Sequence, residues 1–100
     1  MGEGESKFTK VNDLEKAGKE NKDLKGTFKN LAFRILELTR LGKINEAYQA
    51  IIRVFIAQKK EIPSALVNVL KEDDVELQKS YIYAFLSGVL GENQKKGGKE

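Results

Sequence analysis

The stretch FKNLAFRILELTRLGKINEAYQAIIRVFIA, residues 28–57, decides the fold. Apolar residues recur every three or four positions in its first half, and this spacing predicts a helix over about residues 27–41. The same spacing predicts a second helix over about residues 45–59. The intervening link Gly42-Lys43-Ile44 is short, so the two helices should form an antiparallel hairpin. The positions expected to face inward are Phe28, Leu31, Ile35, Leu38, Ala47, Tyr48, Ile51 and Phe55.

Polar, proline and glycine residues mark where the helices begin and end. Thr27 is placed to cap the first helix of the hairpin, and Gly42 is placed to stop it. Pro63 suits the first turn of a short helix, where its missing N–H is not needed. A last helix should begin after Asp73, with Glu76 three residues on as in a capping box, and end at Gly91. Its apolar face comprises Leu77, Tyr81, Ile82, Phe85, Leu86 and Val89.

The two ends of the chain are more polar than its middle. Phe8, Val11 and Leu14 have helical spacing, but the polar residues that follow and Gly18 predict only a weak helix there. The last residues are polar and glycine-rich, which is typical of a disordered tail. The sequence therefore predicts an all-α, single-domain bundle of four to five helices. Its expected parts are a Lys-rich, weakly helical segment at 1–26, a helical core at 27–92 and a disordered tail at 93–100.

The composition excludes several classes of function. The chain has no Cys and no His, so thiol nucleophiles, Cys-ligated zinc and Ser-His-Asp triads are all excluded. We therefore expect that the chain is not an enzyme and that it has no catalytic residue, no cofactor and no small-molecule substrate. The acidic run KEDDVE, residues 71–76, is better explained as the start of a helix, since carboxylates favour helix N-termini, than as a metal site. No secretion signal or membrane-length apolar run is present, which favours the cytoplasm.

Charge is distributed unevenly along the chain. Residues 27–61 contain seven basic and three acidic residues, whereas residues 62–92 contain two basic and five acidic ones. The molecule should therefore be dipolar, with one basic side that could attract phosphates. The candidate nucleic-acid-binding residues are Lys22, Lys25, Lys29, Arg34, Arg40, Lys43, Arg53, Lys59 and Lys60.

A purely structural role is also open to each of these candidates. Arg34 and Arg40 both lie three residues from Glu37, which is the spacing of exposed ion pairs on a helix. Arg53 lies within the apolar string AIIRVFIA, so its guanidinium must reach water, pair with a buried acid or bind an external anion. Phe33 and Tyr83 fall outside the best apolar faces. They could stack on bases or simply extend the core.

The string from Phe28 to Glu92 resembles the C-terminal helical region of the type I-B CRISPR Cascade large subunit. The resemblance is carried by the hairpin FRILELTRLGKINEAYQAIIRVFIA, the following KEIP and the closing YAFLSGVLGE, and it covers about two-thirds of the chain. In that family the region resembles the small subunit of the complex, which can be supplied as a separate chain. Residues 1–26 match no part of the pattern.

The resemblance implies a non-catalytic small subunit of an RNA-guided complex. Its partners would be other Cascade subunits, copies of itself, single-stranded DNA and the guide RNA–DNA duplex, held without sequence readout. Within the matched hairpin, Arg34, Arg40, Lys43 and Arg53 would be the contacts. A helical protein–protein adaptor without nucleic-acid binding is the alternative. A metal-dependent hydrolase using Glu72, Asp73, Asp74 and Glu76 is a third hypothesis.

Overall fold

The computed structural model describes the backbone of residues 2–91 and the side chains of residues 10–91. These residues form five α-helices and no strand, so the predicted all-α fold is confirmed. The predicted disordered tail at 93–100 and the side chain of Phe8 lie outside the described residues. The helices are α1 (Gly2–Lys19), α2 (Lys25–Arg40), α3 (Ile44–Ala57), α4 (Ser64–Val67) and α5 (Val75–Leu90). Short 3-10 turns cover Lys22–Leu24 and Asn68–Lys71.

The hairpin of α2 and α3 forms as predicted, with small differences at its ends. α2 begins at Lys25 because the preceding 3-10 turn leads directly into it, so Thr27 lies inside the helix and does not cap it. Gly42 adopts a left-handed φ of 82° and donates to the carbonyl of Thr39, while Lys43 donates to that of Leu38. This paired arrangement is the Schellman end of a helix, and it fits the predicted role of Gly42.

The later helices also differ slightly from their predicted bounds. α3 spans Ile44–Ala57 and ends two residues before the predicted position 59. Pro63 precedes α4 as its N-cap, with an extended ψ of 139°, so it is outside the first turn. The N-cap of α5 is Asp74 and not Asp73: the Asp74 carboxylate accepts a hydrogen bond from the backbone N–H of Glu76 at 2.9 Å.

The hydrophobic core contains most of the predicted residues and extends beyond them. Phe28, Phe55 and Phe85 lie at its centre with ring centroids 5.5–6.2 Å apart, so α2, α3 and α5 meet there. Two other apolar residues, Leu36 and Leu70, are 39% and 42% exposed and lie outside this core. The Cα radius of gyration, 13.1 Å, is that of a compact domain of this length.

The N-terminal segment belongs to this core, so the predicted boundary between residues 26 and 27 does not separate it from the bundle. Leu14, Ala17 and Leu24 are buried. α1 lies directly against α5, where Gly18 meets Gly88: a Cβ atom on Gly18 would overlap the carbonyl oxygen of Phe85. The glycine that predicted a weak helix is therefore the residue that lets two helix backbones touch.

Polar groups at the end of α1 are satisfied locally. The buried Asn21 side chain donates from Nδ2 to the carbonyl oxygen of Ala17 at 2.8 Å, and the Asn21 backbone N–H donates to that of Gly18 at 3.0 Å. These bonds satisfy carbonyls that the helix leaves without partners at its end. The chain can therefore turn into α2 without leaving buried polar groups unpaired.

Across residues 2–91, every helix is too short or too polar to span a bilayer.

Candidate nucleic-acid interface

A groove of about 640 Å³ runs between α2 and α3. Its inner surface is largely apolar, with contributions from Leu31, Leu38 and Val54, and two arginines stand beside this surface. Because Thr27 and Gln58 line it as well as Leu38 and Asn45, the groove follows most of the length of the hairpin. The complete lining is Thr27, Leu31, Arg34, Leu38, Asn45, Glu46, Gln49, Ala50, Arg53, Val54, Ala57 and Gln58.

Helical periodicity explains why Arg34 and Arg53 face the same groove. Arg34 lies three residues after Leu31 and four before Leu38, so it shares their side of α2. Arg53 lies three residues after Ala50 and four before Ala57, which places it in the same way on α3. Both arginine side chains are exposed, so their guanidinium groups are in contact with water.

Both groove arginines lack a partner among the described residues. Arg34 and Arg53 are exposed, and neither forms an ion pair or a side-chain hydrogen bond within residues 10–91. Only one residue of the groove lining is acidic, Glu46. Pairing of Arg53 with a buried acid is therefore rejected within these residues, and its guanidinium meets either water or an external anion. The groove carries an excess of positive charge beside an apolar surface.

Two of the other predicted cations are paired within the chain. Arg40 donates from a guanidinium nitrogen to the Glu37 carboxylate at 2.6 Å, so the predicted exposed ion pair forms there and not at Arg34. Lys60 donates from Nζ to Asp23 Oδ2 at 2.7 Å. This bond holds the pKa of the Asp23 carboxyl below its ordinary value. Arg40 and Lys60 are thus less available to an external anion.

The five remaining predicted lysines are exposed, and four of them lie at the two ends of the hairpin. Because α2 and α3 are antiparallel, the start of α2 and the end of α3 meet at one end, where Lys60 bonds to Asp23. Lys22, Lys25 and Lys59 lie at this end. Lys43 lies at the opposite end, in the turn between the helices, and Lys29 lies on the first half of α2. The nine predicted residues therefore surround the hairpin without forming one cluster.

The aromatic candidates are not part of the core. Phe33 is 81% exposed on α2, and Tyr83 is 39% exposed on α5. The ring of Phe33 therefore does not extend the core, and it is open to contact at the surface. The contrast with Phe28, which is fully buried one and a half turns earlier on the same helix, shows that only one face of α2 is used for packing.

The acidic run at 71–76 has structural partners. Glu72 accepts a hydrogen bond from the Tyr81 hydroxyl at 3.2 Å and another from the backbone N–H of Asp74 at 3.1 Å. Burial and the nearby Glu72 carboxylate raise the pKa of Tyr81. Asp74 caps α5, as described above. Among the side chains of residues 10–91, no group of three or more carboxylates is arranged to hold a metal ion.

The groove itself was not predicted from the sequence, although a signal for it exists. Thr27, Leu31, Arg34 and Leu38 recur at i, i+4, i+7 and i+11, which marks a second stripe on α2 beside the core-facing one. On α3, the alanines at 50 and 57 repeat seven residues apart.

Comparison with known proteins adds no assignment. The chain matches no protein-family model, no curated protein and no solved structure. The resemblance to the small-subunit region of type I-B Cascade therefore stays a prediction that rests on the string between Phe28 and Glu92.

Proposed function

We propose that this chain is a non-catalytic, nucleic-acid-binding subunit of a cytoplasmic RNA-guided complex, similar to the small subunit of type I-B Cascade. In this role it aids assembly of the complex and stabilises the guide–target duplex and the displaced strand. The contacts are to phosphates, so they do not depend on sequence. Its partners are the other subunits and further copies of itself.

One observation carries the proposal: Arg34 and Arg53, both without acidic partners in the described residues, line the same groove. Guanidinium groups bind phosphate through paired N–H donors, and two of them along one groove suit a phosphodiester backbone. The exposed lysines at both ends of the hairpin add positive charge beyond the groove. The acidic last third lies outside the hairpin, which gives nucleic acid a preferred side to approach.

A protein–protein adaptor is the second candidate, and the apolar lining of the groove favours it. Leu31, Leu38, Ala50 and Val54 would suit the apolar face of a helix from another protein. In that case the arginines would pair with acidic residues beside the partner's apolar stripe. The two candidates differ in whether the groove binds nucleic acid, so one titration separates them.

The test is binding of the purified chain to labelled single-stranded and duplex DNA over a series of salt concentrations. We expect weak binding that does not depend on sequence. Six phosphate contacts would give a slope of log K against log salt of about −5 on duplex and about −4 on single strands. Arg34→Gln and Arg53→Gln should each reduce the magnitude of the single-strand slope by about 0.7, since each removes one phosphate contact.

Lys71→Gln provides the matched control, because it removes the same charge from an exposed position outside the hairpin. It should leave the slope unchanged. If all three variants lose affinity equally, only net charge matters and the groove has no special role. If the wild-type chain binds no DNA at low salt, the adaptor is favoured, and pull-down against purified type I-B Cascade subunits decides whether the groove arginines contact a protein.

A further inference from the structure

Phe33 is the most exposed large apolar side chain among residues 10–91. It lies in the middle of α2, where 81% of its surface is open to water. Phenylalanine is usually buried, and folding gains nothing from leaving this ring outside the core. The ring is therefore open to contact with a molecule outside the chain.

The side chains around Phe33 suit a nucleic-acid strand. Lys29 lies one helical turn before Phe33, and side chains at this spacing are about 5–6 Å apart. Leu36, 39% exposed, lies one turn after Phe33, and Arg40 lies one turn further on the same side. Along the helix the ring has Lys29 one turn before it and Arg40 two turns after it, with the acidic Glu37 also one turn after it. Arg40 is bonded to Glu37, whereas Lys29 has no partner among the described residues.

We propose that Phe33 is a stacking site for an unpaired base, with Lys29 binding an adjacent phosphate of the same strand. Bases within a duplex already stack on each other, so a lone aromatic ring on a helix surface can accept a base only from a single strand. This inference rests on the proposed function and makes it more specific, since it assigns single-stranded nucleic acid to the outer face of α2.

The exposed area favours a base over a protein surface. One phenylalanine side chain presents roughly 200 Å², and Leu36 adds a smaller share. A stable protein interface buries about 800 Å² on each partner, more than half of it apolar. The apolar surface at Phe33 is too small for such an interface, but it matches the face of a single base. Lys29, which has no partner among the described residues, would also meet a phosphate beside that base.

The test compares two single strands of equal length and charge: a 12-nucleotide oligothymidylate and a 12-nucleotide strand of abasic sites. Phe33→Ala should lower affinity for the oligothymidylate by roughly 5- to 150-fold, which is the usual range for losing one base–aromatic stack. Affinity for the abasic strand should not change, because the variant keeps every charge. The salt slope should also be unchanged.

Ile56→Ala is the matched control, since Ile56 is also a highly exposed apolar residue, 64% open, on the neighbouring helix α3. It should leave both affinities unchanged. Phe33→Trp should restore binding and report stacking directly, because the wild-type chain contains no tryptophan and the new indole would be quenched by the base. Circular dichroism of each variant should match the wild type, since no buried side chain is altered.

Different results overturn the inference in different ways. If Phe33→Ala binds oligothymidylate as tightly as the wild type, stacking is wrong while phosphate binding by the groove stands. If that variant keeps its DNA affinity but loses self-association in sedimentation experiments, Phe33 is a protein contact. If the wild-type chain binds neither strand, both this inference and the proposed function fail.

Discussion

The two helix pairs of this bundle are packed in opposite ways. α1 and α5 touch through their backbones where Gly18 meets Gly88, so no side chain separates them. α2 and α3 are joined by a short turn, yet they leave a groove of about 640 Å³ with Arg34 and Arg53 beside it. α1 and α5, which are far apart in the sequence, form a closed pair without a gap between them. α2 and α3, which are adjacent in the sequence, form an open pair with the groove between them.

This difference separates stability from function. A closed helix pair excludes water and adds to the core, but it offers no surface to a ligand. An open pair whose arginines have no partner among the described residues adds less to stability, because those charges must stay in contact with water or with an external anion. The three central phenylalanines join the two pairs, since Phe85 of α5 packs on Phe28 and Phe55 of the hairpin. The closed pair thereby supports the open one.

The largest effect should come from breaking the closed pair with Gly18→Ala. The added methyl would overlap the Phe85 carbonyl oxygen and lie 2.7 Å from the backbone nitrogen of Val89. Backbone atoms cannot rotate away, so the helices must separate. We expect a loss of about 2 kcal/mol in the free energy of unfolding, after allowing for the better helix propensity of alanine. Urea unfolding followed by circular dichroism measures it.

Gly26→Ala is the control for this prediction. Gly26 lies in the first turn of α2, and a Cβ atom there would have no neighbour within 4 Å. This change should leave stability unchanged or raise it by up to about 1 kcal/mol, through helix propensity alone. Equal effects of the two substitutions would show that the contact between α1 and α5 is looser than the structure has it.

The sequence predicts the hairpin well and the closed pair poorly, for a physical reason. Periodic apolar residues and the left-handed Gly42 are local signals, so the α2–α3 pair could be read from one stretch. Gly18 and Gly88 are seventy positions apart in the sequence. Within its own helix, Gly18 only lowers the helix propensity. Its packing role becomes visible only when another helix lies against it. The predicted weak segment therefore became part of the core.

The candidate site shows the same division between local and distant signals. An arginine inside the apolar string around Arg53 could be identified as constrained from its neighbours alone. Its alignment with Arg34 depends on how two helices pack, which periodicity does not fix. The bond between Lys60 and Asp23 joins residues 37 positions apart, and it was missed because only ion pairs at three or four positions can be read from a helix.

A smaller effect on the free energy of unfolding should come from a substitution at Lys59. This residue follows the end of α3 in the same way that Gly42 follows the end of α2. Lys59 has a left-handed φ of 57°, and its N–H donates to the Ile56 carbonyl while that of Lys60 donates to Phe55. A side chain is strained in this conformation and glycine is not. Lys59→Gly should therefore raise the free energy of unfolding by about 0.5–1 kcal/mol, measured by urea unfolding.

Gly42→Ala provides the opposite change at the other end of the hairpin. Its φ of 82° should make alanine destabilising by about 1 kcal/mol, although nothing lies within 4 Å of the added methyl. Opposite signs for the two variants would show that both helix ends depend on the same backbone conformation. A stabilising Gly42→Ala would contradict this dependence.

The smallest effect should come from removing the hydrogen bond between Lys60 and Asp23, which joins the end of the hairpin to the segment after α1. Lys60 lowers the pKa of the Asp23 carboxyl through their hydrogen bond. A carboxyl with a lowered pKa in the folded state stabilises the fold above its unfolded pKa, about 3.9, and this stabilisation is lost as the pH falls through the folded value. Lys60→Gln should raise the pKa of Asp23 toward its ordinary value, which carboxyl ¹³C titration by NMR would measure.

Lys43→Gln is the control for this titration, because it removes an equal charge at the opposite end of the hairpin. It should leave the pKa of Asp23 where it is in the wild type. If both variants shift that pKa equally, the cause is the overall charge of the hairpin and not the single bond to Lys60.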